Sequence, residues 1–332
     1  MRKSISAMLL ILSITSCAQQ NKKETVKETT PTPIDLKAIL EDDPYIGQLK
    51  KYDYEPEYVL QITTLYAYEI RVNDIPVASN FSTMGGTIWY PINKAILQSG
   101  KQTLSISIYP RYTDDNTQKD YFEDPDNYDF WLDITQTAWI DGSREEPKTV
   151  LEYEMPRKDD RGKKIDFSKL TSRHDELTFT AKVPYTLTGW SESNVFDKKD
   201  SVAIEKRVEA FYQKYRQLMI DKEALQLQKM KLKQGYETSQ YSYLDKDKLF
   251  KDRKEYVRDF PKEDFLMADL ENYELKFYGN NRVLGLVFAN DPDKGESMMA
   301  KYYLDKNGDG RVSYYPVLLH QPKGSDSLEI IR

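Results

Sequence analysis

The chain has 332 residues, 48 Lys+Arg against 54 Asp+Glu, a formal charge of −6 and 39% hydrophobic residues. That length fits two domains better than one, and the apolar content supplies real cores, so a wholly disordered chain is excluded. An acidic balance without a long basic run argues against a general nucleic-acid binder, and a single cysteine excludes an intramolecular disulfide or a multi-cysteine metal site.

The first seventeen residues read as a leader. Met1-Arg2-Lys3 makes a short positive start, Ala7 to Ile14 is an apolar run, and Thr15-Ser16 is a small-residue exit before Cys17. The run is far shorter than the ~20 residues that span a bilayer as a helix, so the leader reads as secretory and not as a transmembrane anchor. The stretch Ile14-Thr15-Ser16-Cys17 resembles the lipobox of bacterial lipoproteins. The resemblance implies a signal peptide over 1–16, diacylation of the Cys17 sulfur and a membrane held through that lipid. Two or more acyl chains anchor stably where one is marginal. Ala18, where lipoproteins kept at the inner membrane often carry Asp, points to the outer membrane of the cell envelope. Residues 18–33 contain no aromatic and only Val26 as a sizeable aliphatic, so 17–33 is expected to be a lipidated cysteine and a disordered tether of about 20–24 Å.

An antiparallel β-sandwich is expected over 34–192. Tyr66, Tyr68, Ile70 and Val72 alternate with Ala67, Glu69 and Arg71 before an Asn73-Asp74 turn. Leu104, Ile106 and Ile108 alternate with Ser105, Ser107 and Tyr109, and Leu177, Phe179, Ala181 and Val183 with Thr178, Thr180 and Lys182. Pro91-Ile92-Asn93 to Gly100 reads as a short helical turn ending in glycine. The stretch from Tyr68 to Pro110 is similar to jelly-roll accessory domains of bacterial surface proteins.

An α+β domain is expected over 193–332. Ile204, Val208, Phe211, Tyr215 and Leu218 form a helical stripe behind Ser201 as N-cap, with Leu225 and Leu232 extending it and Gly235 marking its end. The lysines 222, 229, 231 and 233 are expected on its solvent face. A second helix is expected over 244–258, then strands at 273–277 and 283–288 joined by Gly279-Asn280-Asn281, with further strands near 297–304 and 311–319 completing one antiparallel sheet.

Three constellations carry chemistry. Asp305, Asn307 and Asp309, with Gly310 and Ser313, follow the first part of an EF-hand calcium loop, but Pro316 stands where the bidentate Glu belongs. A tight hairpin uses the same residues. Asp114, Asp115, Asp120, Glu123, Asp124, Asp126 and Asp129 form an acidic loop, readable as a weak calcium site or as a solvated surface. On the strand near 130–140, Phe130, Leu132 and Ile134 point one way and Trp131, Asp133, Thr135, Thr137 and Trp139 the other. Indoles flanking an acid and hydroxyls could stack on sugar rings and bond their hydroxyls, or could be core and rim packing. No nucleophile elbow, zinc-protease helix or phosphate loop is present. His174 and His320 read as strand-end or surface residues.

The expectation is an exported, lipid-anchored envelope protein that acts by binding and not by catalysis, without a cofactor unless calcium occupies one of the acidic clusters. Its partner would be another protein, as in immunity-type neutralisation of a secreted toxin, or an envelope glycan. A glycan-binding accessory and a hydrolase with an unrecognised site stand as alternatives.

Overall fold

Period-two alternation closes the first half of the chain into two facing antiparallel sheets. The computed structural model describes residues 43–123, 129–140, 142–260 and 264–332; Cys17, the tether, Asp124 and Asp126 lie outside them. The strands are β1 (Glu55–Thr64), β2 (Ala67–Val72), β3 (Ile75–Asn80), β4 (Gly86–Pro91), β5 (Gly100–Tyr109), β6 (Phe130–Ile140), β7 (Ser143–Arg144), β8 (Lys148–Glu154) and β9 (Arg173–Ala181). One sheet runs β4-β1-β6-β7 with β8 also on β6, and the other runs β3-β2-β5-β9. Leu60 and Ile62, Leu132 and Ile134, Ile70 and Val72, and Leu104 and Ile106 meet between them in one buried cluster. Aromatic rings fill its ends, with Tyr68 edge-on to Phe130 at 6.0 Å and Tyr66 edge-on to Phe122 at 5.1 Å. The Asn73-Asp74 turn takes left-handed φ values of 51° and 59°, the geometry of a two-residue hairpin with a primed turn.

The second half combines four helices with two further sheets: α1 (Ser201–Ile220), α2 (Ala224–Met230), α3 (Leu232–Tyr241) and α4 (Lys246–Arg258). Helix α1 buries Ile204, Val208, Tyr212, Tyr215 and Met219, so its core stripe runs through Tyr212 and Met219 while Phe211 and Leu218 flank it. The Tyr212 hydroxyl donates to the Val317 carbonyl at 2.5 Å and accepts from the Leu286 amide at 3.0 Å, tying the helix to the sheet below. The expected continuation to Gly235 does not form. Lys222 adopts φ 58° and breaks the helix, and Gly235 lies inside α3 instead. There, a Cβ would approach the Arg253 guanidinium to 3.3 Å, so glycine permits the close crossing of α3 and α4. The Asp245 carboxylate caps α4 by accepting from the Lys248 amide at 2.8 Å.

The strands that follow are β10 (Leu266–Met267), β11 (Tyr273–Tyr278), β12 (Val283–Phe288), β13 (Ala300–Leu304), β14 (Gly310–Tyr314), β15 (Leu319–His320) and β16 (Glu329–Ile330). They form two sheets, β11-β12-β15-β16 and β10-β13-β14, where one was expected. The β13–β14 hairpin takes β10 as its neighbour, and only an isolated bridge joins Val287 of β12 to Ser297 just before it. Not all the lysines expected in solvent are there. Lys231 tucks its ammonium 5.2 Å from the ring centres of both Tyr215 and Tyr256, and burial lowers its pKa to about 8.

The two halves share packing. Trp190, Tyr278, Val283 and Ile331 join the sandwich cluster. The Asp74 carbonyl accepts from the Gly279 amide at 2.9 Å, and its carboxylate accepts from the Asn280 amide at 2.8 Å. Glu237 of α3 sits at the centre of the seam. It accepts from Arg332 at 2.5 Å and from the Gly189 amide at 3.0 Å, while Arg332 donates to the Lys94 carbonyl at 2.8 Å and covers the Trp190 ring at 5.2 Å. Both charges are buried. Glu237→Ala would strand the guanidinium in the interior, and a loss of about 3–5 kcal/mol in urea-unfolding free energy is expected.

Candidate functional site

The most chemically suggestive surface is the solvent-facing side of the five-stranded sheet. β1 and β6 pair without interruption from Glu55↔Trp139 to Thr64↔Phe130, so every second residue of each strand faces outward together. β4 adds Trp89 opposite Gln61, and β8 adds Glu152 opposite Asp133. One row across the sheet therefore reads Trp89, Gln61, Asp133, Glu152. The next reads Thr87, Thr63, Trp131, Glu154.

The expected face of Trp131, Asp133, Thr135, Thr137 and Trp139 forms, but it does not act as one patch. Trp131 and Trp139 are eight residues apart on one strand, about 27 Å at ~3.4 Å per residue. Thr137 is buried, and its hydroxyl donates to the Glu145 carbonyl at 2.7 Å. Trp139 stands at the far end with Arg144 as its ladder neighbour. The indole that shares a neighbourhood with Trp131 and Asp133 is Trp89, which the sequence reading passed over. Adjacent strands lie about 4.8 Å apart, so Trp89 sits roughly 10 Å from Asp133 and about 12 Å from Trp131. The signal was present in Ile88-Trp89-Tyr90, but an edge strand need not alternate strictly, and β4 is such an edge.

Two features make this face more than a rim. Trp89 is 59% exposed, and its indole N–H donates to the Gln61 side chain at 2.8 Å, which holds the ring. Asp133 is only 7% exposed, and its Oδ1 is buried with no hydrogen-bond partner. Desolvation, and secondarily the neighbouring Glu152, raise its pKa above the usual aspartate value. An unpaired buried carboxylate oxygen is costly, and a donor arriving on the sheet would meet only the small part of Asp133 that still reaches solvent.

Several carboxylates of the other constellations are engaged by their own chain. Asp305 accepts from the amides of Asn307 at 2.8 Å and Asp309 at 3.0 Å, and Arg311 lies 2.9 Å from its carboxylate. The calcium-loop residues thus cap the β13–β14 hairpin. In the acidic loop, Glu123 pairs with Arg111 and Lys119, Asp115 accepts from Thr113 and Thr117, and Asp129 accepts from Arg157 at 2.6 Å. Asp114 and Asp120 are exposed. Among the described residues no group of three or more His, Cys, Asp or Glu is disposed to hold a metal ion.

The histidines each meet a serine. His320 closes β15 but is 1% exposed, and its Nδ1 lies 2.6 Å from the Ser193 hydroxyl. Its Nε2 has no partner, and burial lowers its pKa to about 3, with Lys233 and Arg332 adding to the effect. This enclosed imidazole fastens the linker at Ser193 to the sheet. His174 lies on β9 with Nδ1 3.0 Å from Ser107, and Glu69 flanks the serine in the ladder, so the acid is not placed to orient the ring.

Two concavities lie on the second half. One, of about 490 Å³, is walled by Phe265, Leu266, Tyr302, Leu304 and Val312, with Leu266 76% and Leu304 68% exposed. The other, of about 500 Å³, includes Asp269, Glu271, Asp291 and Asp293. Their carboxylates are partly engaged: Asp293 accepts from Tyr314 at 2.5 Å, Asp291 from Tyr112 at 2.7 Å, and Asp269 from Arg216 at 2.6 Å. No protein-family model, no curated protein and no solved structure matches the chain.

The raised pKa of Asp133 fixes the sign of a pH effect. The folded chain keeps a proton that the unfolded chain gives up between the two pKa values. The side chain therefore costs nothing well below the unfolded carboxylate pKa, and its penalty grows as pH rises through that window and then holds constant. Asp133→Asn is expected to raise the urea midpoint at about pH 7 and to lose that gain near pH 3, as measured by denaturation at both values.

Proposed function

We propose that this chain is an exported, lipid-anchored envelope protein that binds carbohydrate, without catalysis, on the outer face of its five-stranded sheet. The observation that carries the reading is the pair of outward-facing indoles, Trp89 and Trp131, with the largely buried carboxylate of Asp133 set beside Trp131 on an open sheet face. A sugar ring offers an apolar C–H face to a flat indole and hydroxyl donors to a carboxylate, and the charge-assisted bonds so formed are the stronger kind. An open sheet face grips a ligand from one side and leaves it solvated on the other, which suits retention more than bond cleavage. The lipobox-like leader and the apolar-poor segment after it support the anchoring half of the reading.

The apolar concavity around Leu266 and Leu304 favours a second reading, in which the anchored chain seats a protein partner. One set of measurements separates them. The mature chain is expected to be retained by immobilised polysaccharide, with Trp89→Ala lowering retention by at least about tenfold, the loss of one stacking platform. No retention on any polysaccharide, together with a stoichiometric protein co-purifying from solubilised membranes, would replace the first reading with the second. Metabolic palmitate labelling is expected to mark the wild-type chain and not Cys17→Ser, and an unlabelled wild type would remove the anchor.

A further inference from the structure

The rows that hold the two indoles also carry a charge pattern. Asp133, Glu152 and Glu154 are its ionisable members, and neither row contains Lys or Arg. Glu152 and Glu154 are exposed and flank the buried Asp133 and the half-buried Trp131. Within these two rows no cation is present to neutralise a carboxylate or sulfate on an incoming ligand, and the cation nearest their Trp131 end among those described, Arg157, is bonded to Asp129 at 2.6 Å. At ~5 Å, two like charges repel by about 1 kcal/mol even at the dielectric of water, and by several times that near a protein surface.

The ends of the rows are open. One row ends at Trp89 on β4, an edge strand, and the other side ends on β8, which pairs only with β6. Among the described residues no further strand continues the sheet past either end, so a ligand lying across the rows would run off the sheet in both directions. The roughly 12 Å between Trp89 and Trp131 exceeds one sugar ring, so contact with both needs a chain lying oblique to the strands. Because the Trp89 N–H is already donated to Gln61, this residue offers a ligand only its ring faces.

Resting on the carbohydrate reading above, we propose that the face selects internal stretches of neutral sugar chains and rejects anionic ones. Trp89 and Trp131 are the stacking platforms, Asp133 accepts from a hydroxyl between them, and Glu152 and Glu154 repel acidic sugars.

The test titrates the full mature chain with a neutral hexose, neutral oligosaccharides of increasing length and uronic-acid oligosaccharides of matched length, followed by calorimetry at low and high salt. The neutral series is expected to gain at least about tenfold in affinity from the single sugar to the chain that reaches both indoles. The matched uronate chain is expected to bind at least about tenfold more weakly at low salt, with the gap narrowing at high salt as charges are screened. Glu152→Gln/Glu154→Gln is expected to bring the uronate chain to within about threefold of the neutral one. Equal or tighter uronate binding that is still lost in Trp89→Ala would overturn this selectivity while leaving sugar binding in place. Preference for the single sugar over the chain would overturn the open-ended geometry. Binding of a basic peptide in place of every sugar, again lost in Trp89→Ala, would overturn both this inference and the reading beneath it.

Discussion

The register between β1 and β6 is the constraint on which the candidate surface depends. Because side chains alternate with a period of two, a slip of one residue would turn Trp131 and Asp133 into the core and expose Leu132 and Ile134. Burial of Leu60, Ile62, Leu132 and Ile134 against the facing sheet forbids that slip. The same packing that stabilises the sandwich thus determines which groups it shows to solvent. The β6–β8 pairing is less regular, with a shift between Ile134 and Thr135, and it falls beyond the rows that carry the indoles. Those rows keep straight register across all four strands.

A different physics holds the sandwich to the rest of the chain. Apolar continuity through Trp190, Tyr278, Val283 and Ile331 supplies area, but charge supplies specificity. Glu237 and Arg332 are buried together with backbone partners on both sides, and Arg253 pairs with buried Asp43 where the N-terminal flank meets α4. Gln240 adds a reciprocal pair with the Lys50 backbone, at 3.0 and 2.9 Å. Buried pairs of this kind contribute little net stability compared with apolar packing, yet each strongly penalises an arrangement that would separate its members. They define one docking of helices, flank and sandwich more sharply than contact area alone.

Much of the architecture was legible because it rests on period. The strands around Ile70, Ile106 and Phe179 have one buried face each, and the Asn73-Asp74 and Gly279-Asn280-Asn281 turns have residues that accept left-handed backbone. Where period ran on but the backbone did not, the reading failed: the stripe through Leu225 and Leu232 keeps helical spacing across the break at Lys222. The split into two C-terminal sheets was not legible either, since partner choice between hairpins is decided by tertiary packing. The candidate surface was half visible. Trp131 and Asp133 were placed by alternation within one strand, while Trp89 joins them through pairing across β1, a relation that no local pattern encodes. Conversely, the calcium-like spacing at Asp305 was a local pattern whose leading carboxylate is engaged by the hairpin's own amides and Arg311.

Under the proposed carbohydrate reading, Asp133 links the stability of the sheet to what the sheet would bind. A hydrophobic or amide side chain there would remove a desolvated, partly repelled carboxylate from the unliganded protein, so the residue works against folding at neutral pH. In that reading the compensation would lie in the bound state, where a hydroxyl donor would pair the exposed edge of the carboxylate. The free-energy difference between unpaired and paired carboxylate then appears as binding energy. Trp89 contributes in the opposite manner: its ring is already held by Gln61 before a ligand arrives, so little ordering remains to oppose association. One residue carries an unfavourable burial, and the other is ordered during folding. In the proposed reading both would act from a surface whose backbone is fixed by the core beneath it.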